Sequence, residues 1–318
     1  MYTEIKRNIL WVVFLTSLFF LWDNWNVSQG NASFFAPAPK TTATSGQNAG
    51  VPSASSATAT AAAIANGSAT PAFKSETITI TTDIFKADID TLGGEIKRLE
   101  LLNYRDGIDS KKNQLLFDKS ANHTYLAQSG LIGKGEDGVA LPNHKSGFTA
   151  KPGIRELTNG ANEVQLVLET ESAGVKLSKT FTFKRGDYTI GIKHELHNNG
   201  KAAISPSLYL QLVHDGNKPA DDTYFTSSYT GPSLYTDEEK FQKLEFSKIE
   251  NGKVKHANST ESGWIAIVQH FFVSAYLPPE KLKREIRTEK VDTNLYSIAN
   301  VFALGNLAPG ASTVFDTR

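Results

Sequence analysis

Histidine and carboxylate side chains are the groups in this 318-residue sequence that could carry acid–base or metal chemistry. His194 lies in the alternating segment from Tyr188 to His197, and its side chain falls on the apolar face of that segment. A histidine in this position is typical of a satisfied core residue. His197 is three residues further along and points to the opposite face of a straight strand, so the two imidazoles cannot form a simple metal clamp. The sequence therefore predicts no metal site here.

The pair His214-Asp215 follows the apolar segment Leu208 to Val213 and opens a polar loop that runs to Asp222. A loop at the end of a strand is a plausible rim for a ligand cleft, because loops carry function. The Asp, Gly, Asn and Pro residues of this loop are also ordinary turn formers, and that second interpretation is favoured.

The spacing of the carboxylates does not mark out a catalytic acid and base. Glu169, Glu171 and Glu195 lie in alternating segments, where pairing across strands cannot be seen in one sequence. The sequence also has no G-x-x-x-x-G-K-[ST] nucleotide-binding motif. We therefore expect that the chain is not an enzyme and that it needs no cofactor.

Aromatic side chains are dense between Asp221 and Phe241, in a segment that also carries several carboxylates. Mixtures of this kind suit contact with a protein partner or a sugar, although aromatic residues also fix long loops onto a sandwich. The residues assigned to a candidate partner or ligand surface are His214, Asp215, Tyr224, Phe225, Tyr229 and Tyr235.

The composition limits the classes of function that the chain can have. Its 33 basic and 33 acidic residues give a formal net charge of zero, and no dense Lys/Arg cluster occurs, so nucleic-acid binding is not expected. Cysteine is absent, which excludes disulfides, thiolate metal sites and cysteine nucleophiles. The fold must therefore be stabilised by its own core.

An apolar run from Ile9 to Trp22 follows Lys6 and Arg7 and predicts a membrane anchor. A helix from Asn8 to Trp25 would rise about 27 Å, near the thickness of a hydrocarbon core. Lys6 and Arg7 predict a cytoplasmic amino terminus, with the following chain on the other side. A cleaved signal peptide is the alternative, but no small-x-small site follows the run directly. The anchor residues are Ile9, Leu10, Trp11, Val12, Val13, Phe14, Leu15, Leu18, Phe19, Phe20, Leu21 and Trp22.

A low-complexity segment from Ser28 to Ser75 consists almost entirely of Ala, Ser, Thr, Gly, Pro and Asn. Such a composition cannot form a core, and it predicts a disordered tether with an end-to-end distance of about 40 Å. The predicted organisation is therefore an anchor over residues 1–27, a tether over 28–75 and a folded domain over 76–318.

Period-two alternation dominates the sequence from Glu76 onward and predicts a mainly β domain. Predicted strands include Glu95–Tyr104, Glu163–Thr170, Val175–Lys184, Tyr188–His197 and Ile204–Val213. Turns are expected at Leu92-Gly93-Gly94, Arg185-Gly186-Asp187 and Asn198-Asn199-Gly200, where residues that tolerate positive φ could close hairpins. Regularly spaced strands with turn signals favour a large antiparallel β-sandwich of two stacked sheets.

Two segments allow other interpretations. Asp237 to Leu244 could form a short helix. Gly263 to Leu277 resembles a second membrane span, but it is too short and carries Gln269 and His270 mid-run. A strand buried on both faces has the same composition, so this segment is predicted to be the central strand of the core.

Several segments, in this order, resemble the amino-terminal portion of the YidC/Oxa1 membrane protein insertases of Gram-negative bacteria. The matching residues are R-N-I-L at Arg7–Leu10, T-L-G-G-E-I at Thr91–Ile96, Y-L-A-Q-S-G-L at Tyr125–Leu131, K-T-F-T-F-K-R-G-D-Y at Lys179–Tyr188, Y-T-D-E-E-K-F at Tyr235–Phe241 and S-G-W-I-A-I-V-Q-H-F-F at Ser262–Phe272. Each motif alone is weak, whereas the ordered set covers nearly the whole chain and is specific.

The resemblance implies an inner-membrane protein whose large periplasmic domain is a supersandwich of the galactose mutarotase type. It implies nascent membrane proteins as substrates, the lipid bilayer as surroundings, and action alone or beside the Sec translocon. It also implies a carboxyl-terminal insertase membrane domain, which is absent from these 318 residues. The alternative is a membrane-anchored periplasmic sugar-binding or mutarotase/epimerase-like protein, since the implied sandwich also occurs in proteins that act on sugars.

Overall fold

The computed structural model describes Trp22 and residues 73–121, 123–135, 138–218 and 228–318. The remaining anchor residues, together with Lys6, Arg7, residues 28–72 of the tether, Tyr224 and Phe225, lie outside this part of the chain. Within the described residues, no helix has the length and apolar character needed to cross a bilayer. The anchor therefore stays a prediction. The chain divides into compact units of residues 1–48 and 49–318, and the β domain belongs to the second.

The largest sheet has nine antiparallel strands in the order β1-β2-β3-β4-β5-β10-β17-β16-β13. Strand β10 lies in the interior of this sheet, where it pairs with β5 on one side and with β17 on the other. The strand bounds are β1 Thr77–Thr81, β2 Phe85–Asp90, β3 Glu95–Arg105, β4 Asn113–Lys119, β5 Thr124–Ile132, β10 Ser207–Asp215, β13 Ser259–Thr260, β16 Arg284–Asp292 and β17 Leu295–Ala303.

A second sheet has five antiparallel strands in the order β18-β9-β8-β7-β6. The β7–β8 hairpin closes at Ala173 and Gly174, which have φ values of 54° and 70°, and the β8–β9 connection contains Gly186 at φ 66°. The bounds are β6 Thr149–Ala150, β7 Glu163–Ser172, β8 Val175–Lys184, β9 Ile190–Asn198 and β18 Ser312–Thr317. The turn expected at Asn198–Gly200 closes no hairpin, because β9 and the next strand, β10, belong to different sheets.

A third sheet has four strands in the order β12-β11-β14-β15. It corrects the prediction of one central strand from Gly263 to Leu277, because that segment forms a hairpin with its turn at Gln269–Phe272. The polar pair Gln269 and His270 lies at the reversal of the chain. The bounds are β11 Gly231–Thr236, β12 Lys240–Lys243, β14 Trp264–Val268 and β15 Val273–Tyr276.

The helix considered for Asp237 to Leu244 was also wrong. The Thr236 hydroxyl accepts a hydrogen bond from the Glu239 amide at 3.0 Å, and Lys240 has a φ of 60°, so a turn leads into β12. A right-handed helix cannot pass through a residue in that conformation. A short helix, α1 at Phe246–Glu250, begins further along the chain.

Apolar side chains from all three sheets share one core cluster. Leu208 and Leu210 of β10 lie in it with Leu168 of β7, Phe181 of β8 and Ile265 of β14. The nine-stranded and five-stranded sheets therefore form a sandwich, as the alternation predicts. The four-stranded sheet is an addition to the expected two layers.

Candidate functional site: an apolar cleft beside the β14–β15 hairpin

An apolar cleft of about 440 Å³ lies between the β14–β15 hairpin and the two larger sheets. Its walls include Leu99 of β3, Leu116 of β4, Ile192 of β9, Trp264 of β14 and Val273 of β15. Strand alternation turns these side chains to one side of each strand. A concave site with walls of this kind suits an apolar ligand or an apolar segment of a polypeptide.

An aromatic cluster continues the apolar surface beyond the cleft. Tyr188 also lines the cleft, and its ring centroid lies 6.1 Å from that of Tyr104. Tyr104 packs edge-on against Phe272, with ring centroids 5.5 Å apart. The exposed fraction of Val273 is 57%. Apolar surface is therefore continuous from the cleft to the hairpin turn.

Strand β15 is the edge of its sheet and contributes residues to the cleft along its whole length. The Leu277 amide donates to the Arg318 carbonyl at 2.6 Å, which shows that Leu277 turns its N–H away from β14. Because the hydrogen-bonding direction alternates along an antiparallel strand, Val273 and Ala275 turn their backbone groups to the same free edge. The cleft therefore combines apolar side chains with an unpaired strand edge.

His214 and Asp215 of the candidate surface are buried at the end of β10. The His214 ring stacks on Phe246 with centroids 5.8 Å apart, and burial lowers its pKa to about 4. Asp215 Oδ2 contacts His123 Nδ1 at 2.7 Å and accepts the Thr124 amide at 2.6 Å. Burial opposes ionisation of Asp215, but these hydrogen bonds outweigh it and lower its pKa. Sequence reasoning did not find His123, because it is distant from Asp215 along the chain.

Tyr235 lies in β11 of the four-stranded sheet, and Tyr229 precedes that strand. The Tyr229 hydroxyl bonds with backbone groups of Pro232 and Leu244, which fastens its loop to β11. Tyr235 stacks on Trp264, with ring centroids 6.2 Å apart, and lines a polar cleft of about 670 Å³. The described members of the candidate surface therefore do not come together at one cleft.

The interior histidine and lysine are unsuited to act on a sugar. His194 is fully buried, its Nε2 lies 2.8 Å from Ser129 Oγ, and burial lowers its pKa to about 3. Lys179 is also fully buried, and its Nζ donates to the carbonyls of Gly93 at 2.6 Å and Ser129 at 2.8 Å. Burial lowers the pKa of Lys179 to about 7. Neither side chain reaches solvent, so neither can contact a substrate.

A buried polar chain connects three strands of the large sheet. The Gln211 amide donates to Gln128 Oε1 at 2.7 Å, and the Gln128 amide donates to Glu95 Oε2 at 2.5 Å. Burial raises the pKa of Glu95, while Lys119, whose Nζ lies 3.6 Å away, opposes that shift. Among the described residues, no three side chains come together as metal ligands.

The three antiparallel sheets make this a mainly β domain. Residues 77–318 match the family model described as the YidC periplasmic domain. The chain belongs to the YidC family.

Curated relatives match nearly the whole chain. "Membrane protein insertase YidC" of Herminiimonas arsenicoxydans is 50% identical over 99% of this chain and 56% of its own length. The protein of the same name from Janthinobacterium sp. (strain Marseille) is 51% identical over 98% of this chain and 56% of its own length. The chain thus spans little more than half the length of these relatives. Their names are those of insertases and not of sugar enzymes.

The solved structures that match this chain are more distant in sequence. The galactose mutarotase related enzyme of Lactobacillus acidophilus has a TM-score of 0.48 and 8% identity, covering 76% of this chain and 96% of its own. A putative aldose 1-epimerase of Escherichia coli K12 has a TM-score of 0.44 and 11% identity, covering 77% of this chain and 98% of its own.

Proposed function

We propose that this chain is the amino-terminal part of a membrane protein insertase of the inner membrane. Residues 1–27 anchor it, residues 28–75 form the tether, and residues 76–318 form a periplasmic docking domain. The observation that carries this proposal is 50% identity to an insertase over 99% of the chain. The substrates are nascent membrane proteins, inserted by the whole protein alone or beside the Sec translocon.

The apolar cleft has a role that follows from this function. Membrane proteins contain long apolar segments, and an exposed apolar segment is costly in water. The cleft walls bury such a segment, while the free edge of β15 offers backbone hydrogen bonds to it if it is extended. The docking domain thus holds an apolar segment before or during insertion.

A chimera tests the insertase function. The matching part of the Herminiimonas arsenicoxydans relative is replaced by this chain, and membrane insertion is measured in cells depleted of their own insertase. We expect insertion to be restored, whereas a chimera without residues 76–318 serves as the control for the contribution of the domain. A stable, membrane-located chimera without insertion activity would contradict the proposal.

The orientation has its own test. Because Lys6 and Arg7 precede the apolar run, a reporter enzyme fused after Arg318 should be active only in the periplasm. Reversing both charges with Lys6→Glu and Arg7→Glu should reduce the reporter activity in the periplasm. Cytoplasmic activity of the unmodified fusion would show that the topology is wrong.

A further inference from the structure

Two loops of the β domain carry exposed apolar residues and line one cleft. The β3–β4 loop carries Ile108, which is 69% exposed, and the β14–β15 turn carries Phe271, which is 78% exposed. Gly107 of the first loop and Phe271 of the second line the same cleft of about 490 Å³. We call these two loops, residues 105–112 and 269–272, the paired tips.

The apolar residues occupy positions where turns normally carry polar ones. Turn tips favour Gly, Asn, Asp, Pro and Ser. In the second tip, the Gln269 amide donates to the Phe272 carbonyl at 2.8 Å, which places His270 and Phe271 at the reversal of the chain. Phe271 contributes little to the core, and with Ile108 it forms exposed apolar surface at the paired tips. Exposed apolar surface of this kind is meaningful where several such residues adjoin.

The charged groups around the paired tips are arranged to attract anions. The carboxylates are turned toward their own loop: Asp106 Oδ1 accepts the amides of Ile108 at 2.9 Å and Asp109 at 2.7 Å. Asp109 accepts the Lys111 amide at 3.1 Å and lies 3.3 Å from Lys112 Nζ. Exposed Lys111 and Arg105 remain as outward cations. The described residues that line the shared cleft include Arg105 and His270 but no carboxylate.

We propose that the paired tips insert into the headgroup layer of a membrane that contains anionic lipid. Phe271 and Ile108 enter the boundary between headgroups and acyl chains, which interfacial segments reach at a depth of about 5–10 Å. Tyr104 lies behind them at the level where aromatic rings favour the interface. Arg105 and Lys111 contact lipid phosphates. The domain thus has a second membrane contact besides the anchor, and this inference rests on the proposed membrane location.

Single-cysteine labelling tests this contact, because the chain contains no cysteine. The full chain carrying Ile108→Cys and an environment-sensitive fluorophore is reconstituted into vesicles of phosphatidylethanolamine and phosphatidylglycerol. Nitroxide groups near the headgroups should quench this label, and iodide in the water should not. The matched control is Ile154→Cys, since Ile154 is 67% exposed but lies outside the tips. Its label should respond only to iodide.

Substitutions separate the apolar contribution to the membrane contact from the electrostatic one. Phe271→Gln should lower lipid quenching at position 108 about tenfold. Transfer of a phenylalanine side chain from water into lipid contributes a membrane affinity of that order. Val314→Gln, at a residue that is 54% exposed elsewhere, should leave it unchanged. Lys111→Glu, or vesicles without phosphatidylglycerol, should weaken it several-fold.

Three outcomes would overturn the inference. An equal response of the labels at 108 and 154 to iodide, without lipid quenching, would leave the tips in water. Protection at 108 from iodide without lipid quenching would instead assign the tips to a protein partner or a second copy. If the chain does not float with the vesicles, the predicted anchor is wrong as well. Flotation therefore distinguishes failure of the proposed membrane anchor from failure of the tip contact alone.

Discussion

Lys179 shows how a single buried cation organises the interior of this domain. Its Nζ bridges the carbonyls of Gly93 and Ser129, which belong to different segments of the large sheet, and lies 4.8 Å from the ring centre of Phe148. The lysine therefore stabilises the sandwich through backbone hydrogen bonds across the two sheets.

Replacing this lysine should destabilise the domain. Lys179→Met leaves the two carbonyl oxygens without their donor, and we expect the free energy of unfolding to fall by about 3 kcal/mol in urea titrations. Lys176→Met is the matched control, because Lys176 lies on the same strand with a side chain that is 41% exposed, and it should cost less than about 1 kcal/mol. Equal stability of wild type and Lys179→Met would contradict this role.

The contact between His123 and Asp215 should make stability depend on pH. The hydrogen bond to Asp215 raises the pKa of His123 above 6.5, so its contribution is full below that value and is lost as pH rises through the raised pKa. The pKa of Asp215 is lowered from 3.8, so its contribution is present above that value and is lost as pH falls through the lowered pKa.

A double-mutant cycle with His123→Gln and Asp215→Asn measures this coupling. The coupling free energy between the two positions should be larger at pH 6 than at pH 8.5 in unfolding titrations. A coupling energy that does not change between these pH values would rule out the charged pair.

Contacts of this kind could not be predicted from the sequence. The alternation in Tyr188 to His197 was sufficient to place His194 in the core, because period two assigns faces within one strand. His123 directly precedes β5 and Asp215 ends β10, while Glu95, Gln128 and Gln211 lie on three separate strands. These contacts depend on strand order and register. One sequence does not contain that information.

At the scale of elements, the backbone conformation of Gly263 determines the direction in which the chain enters β14. Its φ is 80°, and a Cβ at this position would lie 1.7 Å from the Tyr235 carbonyl oxygen. Arg284 holds the same turn by donating to the carbonyls of Ser262 at 2.5 Å and Gly263 at 2.7 Å. The β14–β15 hairpin that carries the cleft wall therefore depends on a close backbone contact.

Gly263→Ala should strongly destabilise the chain. Besides the cost of a left-handed alanine, the substitution forces the turn away from β11, and we expect a loss above about 3 kcal/mol in the free energy of unfolding. Gly252→Ala is the control, since Gly252 has a φ of 61° and no atom within 4 Å of the added Cβ. It should cost only about 1 kcal/mol. A similar cost for the two variants would show that the contact with Tyr235 is not limiting.

Elements with regular alternation were predictable, and interrupted ones were not. Val175–Lys184 was predicted with the bounds that the structure has for β8. Gly263 to Leu277 was assigned one strand because its apolar residues form an almost continuous run. In the structure, a reversal at His270 and Phe271 divides that run, and these residues carry no common turn signature.

At the scale of the whole domain, the shared core predicts cooperative unfolding. Leu234 and Ile265 of the four-stranded sheet belong to the same cluster as Leu208 and Leu168 of the larger sheets. With Trp11, Trp22 and Trp25 replaced by phenylalanine, the fluorescence of Trp264 should change at the same urea concentration as far-ultraviolet circular dichroism. Separate transitions would show that the small sheet unfolds by itself.

The general architecture followed from the number of strands, whereas the arrangement of sheets did not. Repeated alternation predicted an antiparallel sandwich, and the structure confirms it. The sequence could not show that β11, β12, β14 and β15 form a third sheet, because the pairing of strands depends on contacts between separate segments of the chain. The sequence also could not predict which distant strands would pair with each other.

The long sequence separations between paired strands determine when the domain can fold. Strand β10 lies in the interior of the large sheet, yet its two neighbours, β5 and β17, come from distant parts of the sequence. One edge of β10 stays unpaired until Leu295–Ala303 has been delivered to the same compartment. Pairing at such a distance carries a loop-closure cost and slows folding. If the domain is exported as an emerging chain, its nine-stranded sheet is therefore completed only after Ala303 has crossed the membrane, and until then an apolar strand edge is open to incorrect pairing.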